Sequence, residues 1–418
     1  MSPVIPADAP RATNVTAVMA AFAPYRRVLA RPGAVAFSAA GLLARMPMSM
    51  ASIGIVLLVQ GATGNYRTAG FAAASYTLAE AVLAILQARL IDRHGQGRVL
   101  AVAGPIFGIA LGLMIWAAVT HRPLGWVYAL AAMGGATLPS IGSSVRARWT
   151  HLLAGSADLS TAFALEAVVD EIVFMVGPIV VTVLASVWTP AAGLATAVVA
   201  CVLGTLLFAA QRETEPPVHP HHADAVRPPM PWRVVGPLGV VSLGLGVLFG
   251  ATEVATVAFS AEHHHRALAG LVLAAWSIGS MLSGVVVGTL HWRAKPATRV
   301  RWGSFAMALG AVPLIFANSL PMAAAFLFVA GWGIAPTMVS SISLVQSAVP
   351  PARLTEGMAL LSMGIIGGVA PGAALAGVIV DDVGAATAYW LPVAAGATAV
   401  LAAQLLPRGV PRREARRG

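Results

Sequence analysis

Six charged residues stand inside long apolar runs of this sequence: Arg45, Glu80, Glu166, Asp170, Glu171 and Glu253. A charge at the centre of a bilayer costs roughly 2.5–3.5 kcal/mol on insertion scales, so such residues are kept for pairing, binding or proton transfer. At helical rise, Arg45 lies about 15 Å from the start of its run, Asp170 and Glu171 about 14 Å from the start of theirs, and Glu80 about 18 Å from the start of its own, which puts all four near a midplane. A buried Arg stays charged and should hold one carboxylate as its ionised partner. Asp170 and Glu171 are adjacent and point about 100° apart on a helix, so either fits that role. The second acid is left with desolvation and a like charge, and is the one expected to exchange a proton. Glu80 is a reserve candidate, and Glu253 lies towards the other end of its run beside Thr252 and Thr256. Glu166, one turn before Asp170, is expected to pair with Arg146.

The elements that position these residues follow from composition. The chain has 418 residues, 58% apolar and 10% charged. Soluble domains carry about 25% charged residues, so this surface must face hydrocarbon, which removes soluble enzyme folds. A spanning helix needs roughly 20 apolar residues. Twelve runs qualify: 35–60, 68–90, 99–119, 123–147, 161–186, 191–210, 234–259, 267–291, 302–317, 322–347, 357–380 and 385–407, the ninth being the shortest. They are continuously apolar, not alternating, which excludes a spanning β-barrel. The expected fold is an all-α membrane protein of twelve transmembrane helices.

A net charge of +10 would suggest nucleic acid in a soluble protein. Here the charges sit in connectors. Of the 26 Lys and Arg, all but Arg67, Arg122, Arg266 and the in-helix Arg45 fall on one side of the predicted topology. The positive-inside rule makes that side cytoplasmic, with both termini on it, and no nucleic-acid partner is expected. The single cysteine, Cys201, lies in an apolar run. The N-terminus lacks a signal-peptide pattern, because its short apolar stretch precedes Arg26, Arg27 and Arg31 instead of following them.

Residues 212–232 are rich in Pro and mixed charge and read as an extended cytoplasmic linker. They divide a six-helix half over 33–211 from another over 233–407, with cytoplasmic segments at 1–32 and 408–418. The halves repeat each other. Gly70 to Tyr76 aligns with Gly270 to Trp276, and Arg93 then falls on Arg293. Pro139, Ser143 and Ser144 align with Pro336, Ser340 and Ser341, and Val176-Gly177-Pro178 aligns with Val369-Ala370-Pro371.

The connector after the second run reads Ala88-Arg-Leu-Ile-Asp92-Arg93-His-Gly95-Gln-Gly-Arg98. With twelve helices and two parallel repeats, it resembles the signature Gly-x-Leu-x-Asp-Arg-x-Gly-x-x-Arg of the major facilitator superfamily. The resemblance covers essentially the whole chain. It implies that Asp92, Arg93, Gly95 and Arg98 form a gating turn, with Asp92 and Arg93 pairing to neighbouring helix ends. Ala88 replaces the first Gly, and the second copy, Gly288 to Arg293, lacks the acid. Gly177-Pro178 resembles a reduced form of the family's antiporter motif, and a Gly-Pro pair makes a deformable point in a helix. The closest resemblance is to small bacterial drug and sugar efflux permeases.

Gly104, Gly108 and Gly112, Gly246 and Gly250, and Gly364, Gly368 and Gly372 recur at four-residue spacing and suit close helix packing, with the last set expected to let its helix slide on the second. His263 to His265, and His219, His221 and His222, read as loop polarity and not as a metal site. There is no nucleotide-binding loop and no catalytic triad spacing, so neither enzymatic activity nor a cofactor is expected. The sequence therefore predicts a monomeric secondary transporter in a bacterial plasma membrane. Its partners would be lipid, protons and a small organic substrate, drug-like or sugar-like, exported by alternating access. An importer, and a non-transporting sensor or lipid-handling protein of the same fold, are the alternatives.

Overall fold

The computed structural model describes residues 24–156, 158–218, 229–289, 294–350 and 353–407, and no strand occurs among them. Among the described residues, eleven helices are long and apolar enough to cross a membrane. We number the spanning elements α1 (Ala34–Thr63), α2 (Tyr66–His94), α3 (Gln96–Val119), α4 (Leu124–Leu152), α5 (Thr161–Val187), α6 (Ala192–Ala210), α7 (Trp232–Glu262) and α8 (Arg266–Val286). After the ninth element come α10 (Leu320–Ala348), α11 (Glu356–Val383) and α12 (Ala385–Gln404). The ninth, α9 (Pro296–Ala311), is too short alone but runs on as a 3₁₀ segment, Val312–Phe316. The tighter helix rises more per residue, so the two pieces together reach about 34 Å, enough for a bilayer core. Short turns make successive helices antiparallel. The chain therefore has a linker face, with the α2–α3 turn and the α6–α7 connection, and a far face with the α1–α2 turn.

Three helices break where the sequence requires it. α1 is interrupted at Met46, because Pro47 has no N–H to donate and its ring crowds the preceding turn. α4 breaks at Leu138–Ser140 around Pro139, and the freed Ser140 N–H is taken by Gln87 Oε1 of α2 at 2.6 Å. α10 breaks at Trp332–Gly333, just before Pro336.

The internal repeat is visible in packing. A Cβ at Gly135 of α4 would run into the Tyr76 carbonyl of α2, and one at Gly331 of α10 into the Trp276 carbonyl of α8. Tyr76 and Trp276 are the residues that the repeat aligns. Likewise Gly70 faces the Ala373 carbonyl of α11, while its counterpart Gly270 faces the Pro178 carbonyl of α5. Small residues thus seat α2 and α8 on their own half and on the opposite one. The α11 glycines differ from expectation. Gly364, Gly368 and Gly372 pack on α7 within the same half, not on α2, and Gly377 is the residue that meets α2, at Tyr66. Gly104 and Gly108 pack on Thr205 and Val202 of α6, whereas Gly112 has open space around it.

The linker is docked at its start. Arg148 of α4 is fully buried; it donates to Gln96 Oε1 at 3.0 Å, Thr214 Oγ1 at 2.9 Å and the Phe208 carbonyl at 3.0 Å, and its guanidinium stacks on the Phe208 ring. Glu215 accepts from Gly97 N at the start of α3 at 2.8 Å. The extended, solvated reading thus fails for these first positions, because a helix N-terminus and a buried Arg hold them in place. Residues 219–228, with His219, His221 and His222, lie outside the described residues, as do 1–23, Arg293 and 408–418.

Candidate functional site

Within the first half, α1, α4 and α5 enclose a charged cluster. The Pro47 break ends the first segment of α1 at Arg45, whose side chain is 1% exposed. Arg45 Nη2 pairs with Glu166, and Nη1 donates to Asp170 Oδ1 at 2.7 Å. Glu166 also accepts from Trp149 Nε1 at 2.8 Å and from Ser38 Oγ at 3.1 Å. Phe37 packs edge-on against the Trp149 ring and closes the cluster on one side. Asp170 Oδ2 reaches Arg146 Nη2 at 2.6 Å on α4.

The sequence expectation is thereby corrected in one pairing and made definite in another. Arg146 pairs with Asp170, not Glu166. Glu166 is fully buried and takes Arg45, because its helix face turns towards α1. Of the adjacent acids, Asp170 is the partner of Arg45. Glu171, half-buried, makes no hydrogen bond or ion pair among the described residues, although it lies close enough to feel the Asp170 charge. Two Arg balance two carboxylates, so Glu166 and Asp170 act as a neutral brace across three helices.

The other acids lie apart from this brace. Glu80 is half-buried on α2, near Tyr76. On α7, Glu253 Oε2 is buried with no hydrogen-bond partner, and so is the Ser52 hydroxyl of α1. Gly177 abuts Ser49 and Met50 of α1, and Pro178 presents its carbonyl to Gly270 of α8. The Gly-Pro pair therefore sits where α5 touches both halves.

At the linker face, Gly95 takes φ +87° between α2 and α3, a conformation that L side chains rarely adopt. Asp92, Arg93 and Arg98 are exposed, and Asp92 has no hydrogen bond or ion pair among the described residues. The acid that engages this turn is Glu215. At the far face the halves are joined. Asp381, near the end of α11, accepts from the first N–H groups of α2, Tyr66 N at 3.0 Å and Arg67 N at 2.5 Å, and Asp382 pairs with Arg67 at 2.5 Å. Arg266 donates to the Leu57 carbonyl at 2.9 Å, and nearer the midplane Ser277 donates to that of Phe174 at 3.3 Å.

The sequence profile of the Major Facilitator Superfamily matches residues 37–320 and 262–418. The chain belongs to the Major Facilitator Superfamily. It is a multi-pass membrane protein and a secondary transporter of a small molecule, not an enzyme. No curated protein matches it in sequence. The solved structures it resembles are transporters of the same fold. The POT family transporter PepTSo superposes with TM-score 0.69 at 10% identity over 88% of this chain and 96% of that one. The nucleoside transporter NupG gives 0.68 at 16% identity over 87% and 97%. A bacterial homologue of the iron transporter ferroportin in its inward-facing state gives 0.66 at 14% over 88% and 96%. At these identities the likeness concerns the fold.

Sequence reasoning missed Ser38 and Trp149, which hold Glu166, and Asp381, which looked like an ordinary helix-end acid. A signal existed for Trp149: an aromatic N–H in an Arg-rich stretch of a spanning helix needs a buried acceptor.

Proposed function

We propose that this superfamily member exports a small organic molecule in exchange for protons, with the linker face in the cytoplasm. The observation that carries the coupling is the division of labour between Asp170 and Glu171. Asp170 is held by Arg45 and Arg146, and changing its charge would break both pairs. Glu171 is free to gain or lose a proton. When ionised, it places a second negative charge beside the α1–α4–α5 brace, which links its protonation to the geometry of the half. Glu80 and Glu253 are the remaining carriers in reserve.

The reading of export rests on the α5 contacts. Gly177-Pro178 is a deformable point at the meeting of both halves, and the halves are bonded at the far face. A cavity between α7, α10 and α11, lined by Ser242, Thr337, Ser341 and Met358, lies towards the linker face, where cytoplasmic cargo would enter. Asp92 then acts as a latch for the opposite state, in which the linker face closes.

A compound selected by thermal shift against the purified protein supplies the transported probe. In inside-out vesicles it should accumulate under an imposed pH gradient. Glu171→Gln should remove the gradient dependence and retain gradient-free exchange. Normal proton-driven transport by Glu171→Gln would refute the coupling role, and accumulation in right-side-out vesicles would refute export.

A further inference from the structure

The outward side of α9 carries its residues in the order of an amphiphile. Lys295, at the helix start, is followed by Arg299, Trp302, Phe305 and Leu309 at spacings of four, three, three and four, so they share one helix face. Lys295, Trp302, Phe305 and Leu309 are exposed, Trp302 being 64% exposed, and Arg299 is half-buried. The Trp302 and Phe305 rings meet edge-on at 6.3 Å between centroids. Bases therefore stand at the linker face, aromatic rings below them and an aliphatic side chain deeper still. The stripe runs about 21 Å along the helix axis. One leaflet of a bilayer, headgroups included, is about 20–22 Å thick. Arg301 adds a charge beside the stripe and fixes the helix, donating to the Ala403 carbonyl of α12 at 3.2 Å and to that of Leu406 just past it.

The chain around this stripe supplies no acid. None occurs between Glu262 and Glu356, and α12, on which α9 packs, contains none. Glu356 itself pairs with Arg353. The Lys295 ammonium bonds to none of the described residues, and Arg299 Nε donates to the nearby Ala294 carbonyl. Orientation in the membrane asks only for bases in the loop, at any rotation about the helix, and does not ask for aromatic and apolar residues aligned beneath them. The first half shows the difference. In the repeat, Lys295, Arg299 and Trp302 fall on Gly95, Val99 and Val102, which carry no charge, and the turn there is engaged by Glu215 of the linker. The aligned base–aromatic–aliphatic stripe thus belongs to the second half alone.

We infer that the α9 stripe, with Arg301 beside it, is a binding site for an anionic phospholipid of the leaflet at the linker face. The phosphate sits at Lys295 and Arg299 and gains from the neighbouring Arg301 charge. Trp302 lies at the level where the headgroup meets the chains, which suits an indole. An acyl chain runs along Phe305 and Leu309. The bilayer surrounds this surface and supplies both the negative charge and the hydrocarbon that the stripe complements. The site stands on α9, which packs on α10 and α12 of its own half, so it is separate from the Arg45 cluster and from the export reading.

The test counts the lipids that the full chain retains in native mass spectra, after exchange into detergent holding equal amounts of phosphatidylglycerol and phosphatidylcholine with the same acyl chains. The wild type should retain phosphatidylglycerol about tenfold or more over phosphatidylcholine. Lys295→Gln and Arg299→Gln should each lower that preference about three- to fivefold. The pair Arg26→Gln and Arg89→Gln, which removes two exposed charges from the linker face of the first half, should leave it unchanged. Each variant is first confirmed folded by monodisperse elution. An equal fall in the first-half pair would mean a diffuse field over the whole face and overturns the site. So does a wild type that retains the two lipids equally, or no loss in Lys295→Gln and Arg299→Gln. Displacement of the lipid by excess inorganic phosphate would mark a free-anion site and overturns the lipid assignment.

Discussion

The far face and the linker face of this protein are built on opposite principles. At the far face the bonds cross between halves: Asp381 caps α2, Asp382 holds Arg67, and Gly70 and Gly270 admit carbonyls from the opposite half. At the linker face the strong networks stay inside the first half. Arg148 ties α3, α4 and the start of the linker together, Glu215 caps α3, and Arg45 with Glu166 and Asp170 braces α1 against α5. Contacts inside a half can persist through a transport cycle, whereas contacts between halves must break once per cycle. The buried, multiply bonded groups fall in the first class. The Asp381 cap of α2, the Arg67–Asp382 pair and the Gly70 and Gly270 contacts fall in the second. A brace that is never broken can be strong, and a seam that opens must be weak.

The largest effect should come from breaking the brace. Arg45→Ala leaves Glu166 buried without its cation, which typically costs about 3–5 kcal/mol. The thermal melting point in detergent, or the yield of folded protein, should collapse. A variant that melts like the wild type would mean that water or another base replaces Arg45.

The far-face seam is tested by cross-linking, with little background because Cys201 is the only cysteine and is buried. Arg67→Cys with Asp382→Cys should form a disulfide readily. Adding Gly70→Leu, whose Cβ would lie 2.5 Å from the Ala373 carbonyl, should lower the cross-linking yield several-fold while folding is retained. An unchanged yield would mean that α2 and α11 rearrange to admit the side chain.

Asp381→Asn keeps the shape and loses the charge that caps α2. Loss of a cap costs about 0.5–2 kcal/mol, and here it should appear as faster labelling of cysteines placed behind the seam, with little change in melting. Asp382→Asn, which removes only a half-exposed pair, should do less, within about 1 kcal/mol.

The smallest effect is expected at Asp92. It is exposed and without a partner in this conformation, so Asp92→Asn should leave melting unchanged and slow transport without altering ligand affinity. A lower melting point would place Asp92 in a contact that this conformation does not contain.

Much of this organisation was legible in the sequence because hydropathy is local and additive. An apolar run long enough to span a bilayer does so almost regardless of its neighbours, since an unpaired backbone in hydrocarbon costs several kcal/mol per group. The Gly70–Gly270 repeat likewise depends on residue type and position alone. The short ninth run was readable as an apolar stretch, but its 3₁₀ extension was not.

Pairings between helices depend on rotation and offset, which one sequence does not encode locally. Asp170 and Glu171 are equivalent in depth, and only the packing of α5 on α1 decided that Asp170 takes Arg45 while Glu166 joins it from a turn below. Arg148 had the sequence context of a surface base, yet the fold buries it under the returning linker. Asp381 had the context of a frayed helix end, yet it caps a helix of the other half. Spans, their order and their repeat were thus determined by the sequence itself. Which charge meets which was decided by tertiary packing, because a charge in low dielectric is governed by the few ångströms to its partner.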